Sequence, residues 1–307
     1  MSNDPTRRDF LARTAALAAA GGLGALVPES ALAAAEESTP IDRALRRPSL
    51  ASSDPVRIGV IGTGGMGTEH CNAILRLVNA ERTAAHIVAL CDVCVPRLSE
   101  AAQAVVASQQ RGVEIELYTD YRKLLADPSI HAVLIASPEH WHARMAEDAI
   151  LAGKDVYVEK PMTYDLRDAL RLRHVVQANP DARVVVGTQH VMNPSYPAAR
   201  KLIAEGAIGT PVFSQTSYCR NSKEGEWLYY EIDEAWEPGV NLDWRAWTGP
   251  LGRQPWDPAV YARWRRYRRY STGIIGDLLV HRMAPLMQTL DAGWPVRVVA
   301  AGGHLVD

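Results

Sequence analysis

The stretch VRIGVIGTGGMG, residues 56–67, decides the fold. Its first six residues make an apolar run of strand length, and glycines follow at Gly62, Gly64 and Gly67. Strand, glycine-rich turn and helix in that order form a phosphate-binding unit. Gly62 permits the tight turn, Gly64 lets a pyrophosphate approach the backbone, and Gly67 lets helix and strand pack closely. The turn Gly62-Thr63-Gly64-Gly65-Met66-Gly67 then presents N–H groups and the positive end of a helix dipole to phosphates.

Outward from this turn, strand and helix patterns alternate. AHIVALCD (85–92) is a second strand, and IHAVLIASP (130–138) is a near-continuous apolar run, as expected of a strand covered on both faces. KDVYVEK (154–160) and ARVVVGTQ (182–189) follow, with helical spacing between them. Such alternation predicts a doubly wound parallel sheet of the Rossmann type. Asp92 closes the second strand, where a carboxylate accepts ribose hydroxyls and repels a 2′-phosphate. This favours NAD over NADP, and the nearby Arg97 tempers the preference.

Ligands of open parallel sheets lie beyond the carboxyl ends of the strands. Ser137, Pro138, Trp141 and His142 follow one strand there, Glu159 and Lys160 another, and Gln189 a third. Lysine is costly to bury and tends to lose its proton when buried. Its position at this rim suits a cofactor site better than a snorkelling surface role.

After Gln189 the texture changes. Residues 193–209 predict one more helix, TPVFSQTSYCR (210–220) a strand, and VRVVAAGG (296–303) a final strand, with a tract dense in Trp, Tyr and acidic residues between. The expectation is a C-terminal α+β domain with a mainly antiparallel sheet. The chain stops at Asp307 just after an apparent strand, so that sheet is expected to be incomplete, as in a truncated gene product.

The N-terminus reads separately. Arg7-Arg8, a weakly apolar Ala/Leu/Gly segment and Ala31-Leu32-Ala33 have the layout of a twin-arginine secretory signal. The expected organisation is a signal over 1–33, a flexible leader over 34–54, a dinucleotide-binding domain over 55–192 and a substrate or oligomerisation domain over 193–307. The export machinery becomes a partner and the periplasm or exterior the destination. No stretch is long and apolar enough for a permanent membrane span.

Of 307 residues, 47% are hydrophobic and 22% charged, an ordinary globular balance, and the formal net charge of −2 argues against nucleic acid as a partner. Cys91 and Cys94 are spaced C-x-x-C but lie in and after a strand, so the pair reads as incidental, and no further ligands at zinc spacing accompany it. RWRRYRRY (263–270) reads equally as a pocket mouth for a sugar or anion and as a solvated edge.

GVIGTGGMG, CDV, ASPEHWH, VEKP and GTQH together resemble the Gfo/Idh/MocA oxidoreductase family, and WRAWTGP with STGIIGDLLVH extends the resemblance over most of 56–307. The resemblance implies that Lys160 lies by the nicotinamide and the substrate. It also implies that a D-x-x-x-H pair, here Asp277 and His281, completes the site. Trp141, His142, Asn193 and Tyr270 are candidate substrate contacts. His281 or Lys160 is the proton acceptor, and Asp277 positions substrate or sets the charge of the site. Pro285 is expected to end that helix early and shift the pair.

The implied activity is hydride transfer between a sugar, polyol or sugar-derivative carbinol and a tightly held NAD, in a protein able to form homo-oligomers through its C-terminal sheet. Two alternatives stand beside it: a glycosidase that uses NAD transiently for oxidation and elimination, and a non-catalytic dinucleotide-binding protein.

Overall fold

A computed structural model describes residues 51, 54–220 and 222–302 of the chain. The proposed signal, the leader up to residue 50 and the last five residues lie outside the described residues. Six parallel strands carry the fold: β1 (Val56–Ile61), β2 (Ala85–Cys91), β3 (Glu116–Tyr118), β4 (Ala132–Ile135), β5 (Asp155–Glu159) and β6 (Val184–Gly187). They pair in the order β3-β2-β1-β4-β5-β6. The order reverses between β1 and β4, which opens a crevice at their carboxyl ends.

Alternation along the central strands explains the layering. Val60, Leu90 and Leu134 face one side, against Cys71 and Leu75 of α1 (Gly65–Asn79) and Leu98 and Val105 of α2 (Val95–Ser108). Ile61, Val133, Ile135, Val156 and Val158 face the other, against α4 (Glu139–Leu151) and Leu172 of α5 (Leu166–Ala178). The short α3 (Tyr121–Ala126) packs with this second cluster. The edge strands β3 and β6 are more exposed, as strands with one neighbour must be. Asp120 and Asp165 cap α3 and α5 through their side chains. α1 has no such cap.

The expected second sheet is corrected by the structure. Among the described residues, neither 210–220 nor 296–302 forms a strand, and Val212, Phe213, Val296, Val298 and Val299 are exposed. β-propensity records how well a side chain fits a half-buried pleated surface. Neither segment has a strand beside it among the described residues to accept its backbone groups. The Trp/Tyr tract instead builds an aromatic cluster from Leu242, Trp244, Trp247, Tyr261 and Tyr270, with Cys94 of the main domain inside it. One antiparallel bridge, Cys94 to Leu242, fastens the tract to the loop after β2.

Four further helices follow the sheet: α6 (Ser195–Ala204), α7 (Trp244–Thr248), α8 (Pro258–Ala262) and α9 (Val280–Leu290), the last entered through one π-helical turn, Ile275–Leu279. Pro285 does not end α9, which runs five residues beyond it. Proline removes one N–H and crowds the carbonyl four residues back, and the helix absorbs both while packing on α6.

Candidate active site

The glycine turn has the properties a pyrophosphate requires. A Cβ on Gly67 would lie 1.8 Å from the Gly62 carbonyl oxygen, and one on Gly62 would lie 2.7 Å from the Ser137 nitrogen. Both glycines therefore make close backbone approaches that no side chain tolerates. Gly65 faces open space within 4 Å. The first turn of α1 holds no acidic residue and its N-terminus has no side-chain cap, so its free N–H groups face the cleft unopposed. The buried Ser137 hydroxyl, at the end of β4, has no hydrogen-bond partner. A buried polar atom without a partner beside such a turn suits a site that a ligand completes.

Asp92 lies across this turn. Its Oδ2 accepts from the Thr63 backbone N–H at 2.7 Å and the Thr63 hydroxyl at 3.2 Å, and its Oδ1 accepts from the Cys94 N–H at 2.9 Å. These bonds aim the carboxylate at the crevice and leave lone pairs for ribose hydroxyls. The Arg97 guanidinium is caged, 4.9 Å from the Trp236 ring centre and 4.7 Å from that of Tyr261. The tract that supplies the cage was not legible as a cofactor wall from its sequence.

Asp92, Arg97 and Tyr261 line one cleft of about 1360 Å³, which also takes in Gly62–Met66, Ser137, Pro138 and Arg265. The second group of candidates lies just outside its wall. Lys160 Nζ donates to Asp277 Oδ1 at 2.6 Å, and Arg265 Nε donates to the same oxygen at 3.3 Å. Burial pushes the Asp277 carboxyl up, but Arg265 and Lys160 outweigh it and hold the group below its usual range. Arg265 thus touches both the cleft and the Lys160–Asp277 pair. The arginine-rich stretch was the signal for it, although nothing in that stretch singled out position 265. Three of its neighbours bond back to the protein: Arg263 to the Tyr230 carbonyl, Arg266 to the Glu226 carbonyl and Arg269 to Gln254.

His281 is reached from the third strand end. The backbone N–H of Gln189 donates to its Nδ1 at 3.1 Å. A neutral ring that accepts at Nδ1 carries its proton on Nε2. Burial and then the Lys160 charge pull its pKa below 6.5, which favours that neutral ring. Gln189 contributes here through its backbone. Glu159 is also turned inward: its Oε1 meets His70 Nε2 at 2.7 Å and its Oε2 accepts the Lys160 N–H at 3.1 Å.

The candidate substrate contacts are largely reassigned. Trp141 is buried, with its indole N–H donated to the Trp247 carbonyl at 2.8 Å. Tyr270 is buried against His140 and Trp247. Asn193 uses its side chain to accept the Ser195 N–H at the start of α6. Both ring nitrogens of His142 lie 2.7 Å from backbone oxygens, those of Pro161 and Ser137, and the neutral ring that burial favours donates its one N–H to one of them. Local partners thus take the Trp141 indole N–H and the Asn193 side-chain oxygen, and Tyr270 is held by ring contacts.

Comparison with known proteins bears on the fold that carries these residues. Residues 56–188 match the family model described as an oxidoreductase family with an NAD-binding Rossmann fold. Inositol 2-dehydrogenase 1 of Saccharopolyspora erythraea is 34% identical over 157 residues, 51% of this chain and 44% of the relative. Inositol 2-dehydrogenase of Burkholderia cenocepacia is 30% identical over 171 residues, 56% and 48% respectively. The chain therefore spans about half the length of the curated relatives it matches. Among solved structures, an NAD binding oxidoreductase from Klebsiella pneumoniae superposes with a TM-score of 0.51 at 25% identity, covering 77% of this chain and 53% of that one. An oxidoreductase domain protein from Kribbella flavida gives 0.54 at 22% identity, covering 78% and 54%, and shares the fold.

Proposed function

Residues 56–188 match the Gfo/Idh/MocA oxidoreductase family model, and we propose that the chain belongs to that family and is an NAD-dependent dehydrogenase of a polyol or sugar-like carbinol. The observation that carries this reading is the 2.6 Å contact between Lys160 and Asp277. It joins a strand end of the dinucleotide fold to the turn that leads into His281.

NAD, when bound, supplies the hydride acceptor. The glycine turn and the α1 N-terminus would hold its phosphates, Asp92 its ribose, and Ser137 a polar atom at the rim. Oxidation of the carbinol also releases the hydroxyl proton, and the remaining residues divide that task. Neutral His281 carries its proton as a donor on Nε2, because its Nδ1 already accepts from Gln189. It therefore donates to the substrate oxygen. Lys160 exchanges the proton: as an ammonium it protonates the oxygen in the direction of carbonyl reduction, and as an amine it takes the proton back. Asp277 and Arg265 fix its position and the local charge. Inositols are the first substrates to try, because the relatives above are named for them. Nothing in the site favours glycoside cleavage or a purely binding role. Export as a folded, NAD-loaded protein remains our proposal from Arg7-Arg8.

The test is to release and identify any bound nucleotide, then follow NADH formation with inositols and other polyols. Lys160→Met is expected to lower kcat by about 10²–10⁴-fold while NAD affinity is kept. A protein that binds no nucleotide, or a Lys160→Met variant with full turnover, refutes the proposal.

A further inference from the structure

We infer that Glu139 is a positioning residue, a buried latch that holds the Asp277 turn against the cofactor rim. Glu139 opens α4, directly after Ser137 and Pro138, and is 1% exposed. A carboxylate so buried must find strong donors. Its three donors come from Ser271 and Thr272, more than 130 residues later in the chain. Oε1 accepts from the Ser271 hydroxyl at 2.7 Å, and Oε2 accepts from the Thr272 backbone N–H and the Thr272 hydroxyl, each at 2.7 Å.

The latched residues lead straight to the chemistry. The Gly273 N–H donates to the Ser271 hydroxyl at 3.0 Å, which continues the bonded turn. A Cβ on Gly276 would lie 1.8 Å from the Thr272 hydroxyl oxygen, so Thr272 packs directly over the residue before Asp277. Asp277 then receives Lys160. One continuous path therefore runs from the rim of β4, through Glu139, Ser271, Thr272 and Gly276, to the Lys160–Asp277 pair. Bonds to a charged acceptor are stronger than neutral ones. Three of them on one carboxylate fix the start of the π-helical turn to within a hydrogen bond's tolerance. The dinucleotide fold thus dictates where a residue 138 positions later in the sequence meets Lys160.

This inference rests on the dehydrogenase reading for its catalytic consequence but not for its geometry, and the test separates the two. Full-length protein is treated with an amine-methylating reagent, and the labelling rates of Lys160 and Lys154 are read by peptide mass spectrometry. Lys154 is more deeply buried, at 1% exposed, and is held by the Asp127 and Ile130 carbonyls, so a rise in its labelling reports general loosening. Glu139→Gln keeps shape and loses charge, and Thr272→Val removes one donor while leaving the carboxylate. Both are expected to raise Lys160 labelling about tenfold, the size expected for the loss of one to two charge-assisted bonds, with Lys154 unchanged. NAD affinity should stay within about twofold, and kcat on an inositol should fall about tenfold with little change in KM. Lys160 labelling that stays flat, or that rises only together with Lys154, overturns the inference. Absence of wild-type turnover on any polyol overturns the dehydrogenase reading instead, and the labelling result still decides the latch.

Discussion

Replacing His140 by glutamine is expected to flatten the acid side of the protein's stability profile. His140 is 6% exposed and packs edge-on against Trp247 and Tyr270. Its Nε2 donates to the Trp247 carbonyl at 2.9 Å, and its Nδ1 is buried without a partner. A second proton would sit on Nδ1 with no acceptor, among aromatic rings. Burial accordingly lowers the pKa from 6.5 to about 4. At pH 7 the ring is neutral in the folded and unfolded chain alike. Below 6.5 the unfolded chain takes up the proton first, so stability falls with pH until the folded ring also protonates near 4. At about 1.36 kcal/mol per pH unit the full window corresponds to about 3 kcal/mol, and about 2.5 kcal/mol of it is lost by pH 4.5. Glutamine keeps an N–H for the Trp247 carbonyl and does not titrate. Urea unfolding followed by tryptophan fluorescence at pH 7 and 4.5 gives the comparison. Other acid-sensitive groups, such as His281 and Asp277, are present in both proteins and cancel. Parallel losses in wild type and His140→Gln would refute the reasoning.

Gly67→Ala places a methyl 1.8 Å from the Gly62 carbonyl oxygen, so the turn must open. Calorimetry should show NAD binding weakened by about tenfold or more, the effect of overpacking a tight contact, and an unchanged affinity counts against the turn as the phosphate site. Asp92→Ala removes the acceptor of three donors from Thr63 and Cys94. Titrations should show a larger loss for NAD than for NADP, because the carboxylate that repels a 2′-phosphate has gone; equal losses dismiss its ribose role.

The parts of this protein that were legible in its sequence are those encoded by local periodicity. VRIGVIGTGGMG and the apolar runs after it predict strands, turns and helices at short range, and their alternation predicts a doubly wound parallel sheet, whose order β3-β2-β1-β4-β5-β6 the structure supplies. The rim positions of Asp92, Ser137 and Lys160 follow as well, because each directly ends an apolar run. The tentative contacts Trp141, His142, Asn193 and Tyr270 have packing and hydrogen-bond roles that could not be read from sequence, for a common reason. Polar and aromatic residues near a site advertise chemistry in sequence, whereas each of these is occupied by a partner that the sequence does not announce.

Sequence alone determined the dinucleotide scaffold, since a period of two or of 3.6 and a spaced set of glycines act on neighbouring residues. Tertiary structure decided which distant groups share one oxygen of Asp277, where the aromatic tract lies, and that residues 210–220 stay unpaired among the described residues. Hydrogen bonds and strand ladders need two partners at fixed distance, and for those separated by a hundred residues only the folded chain brings the second one into reach.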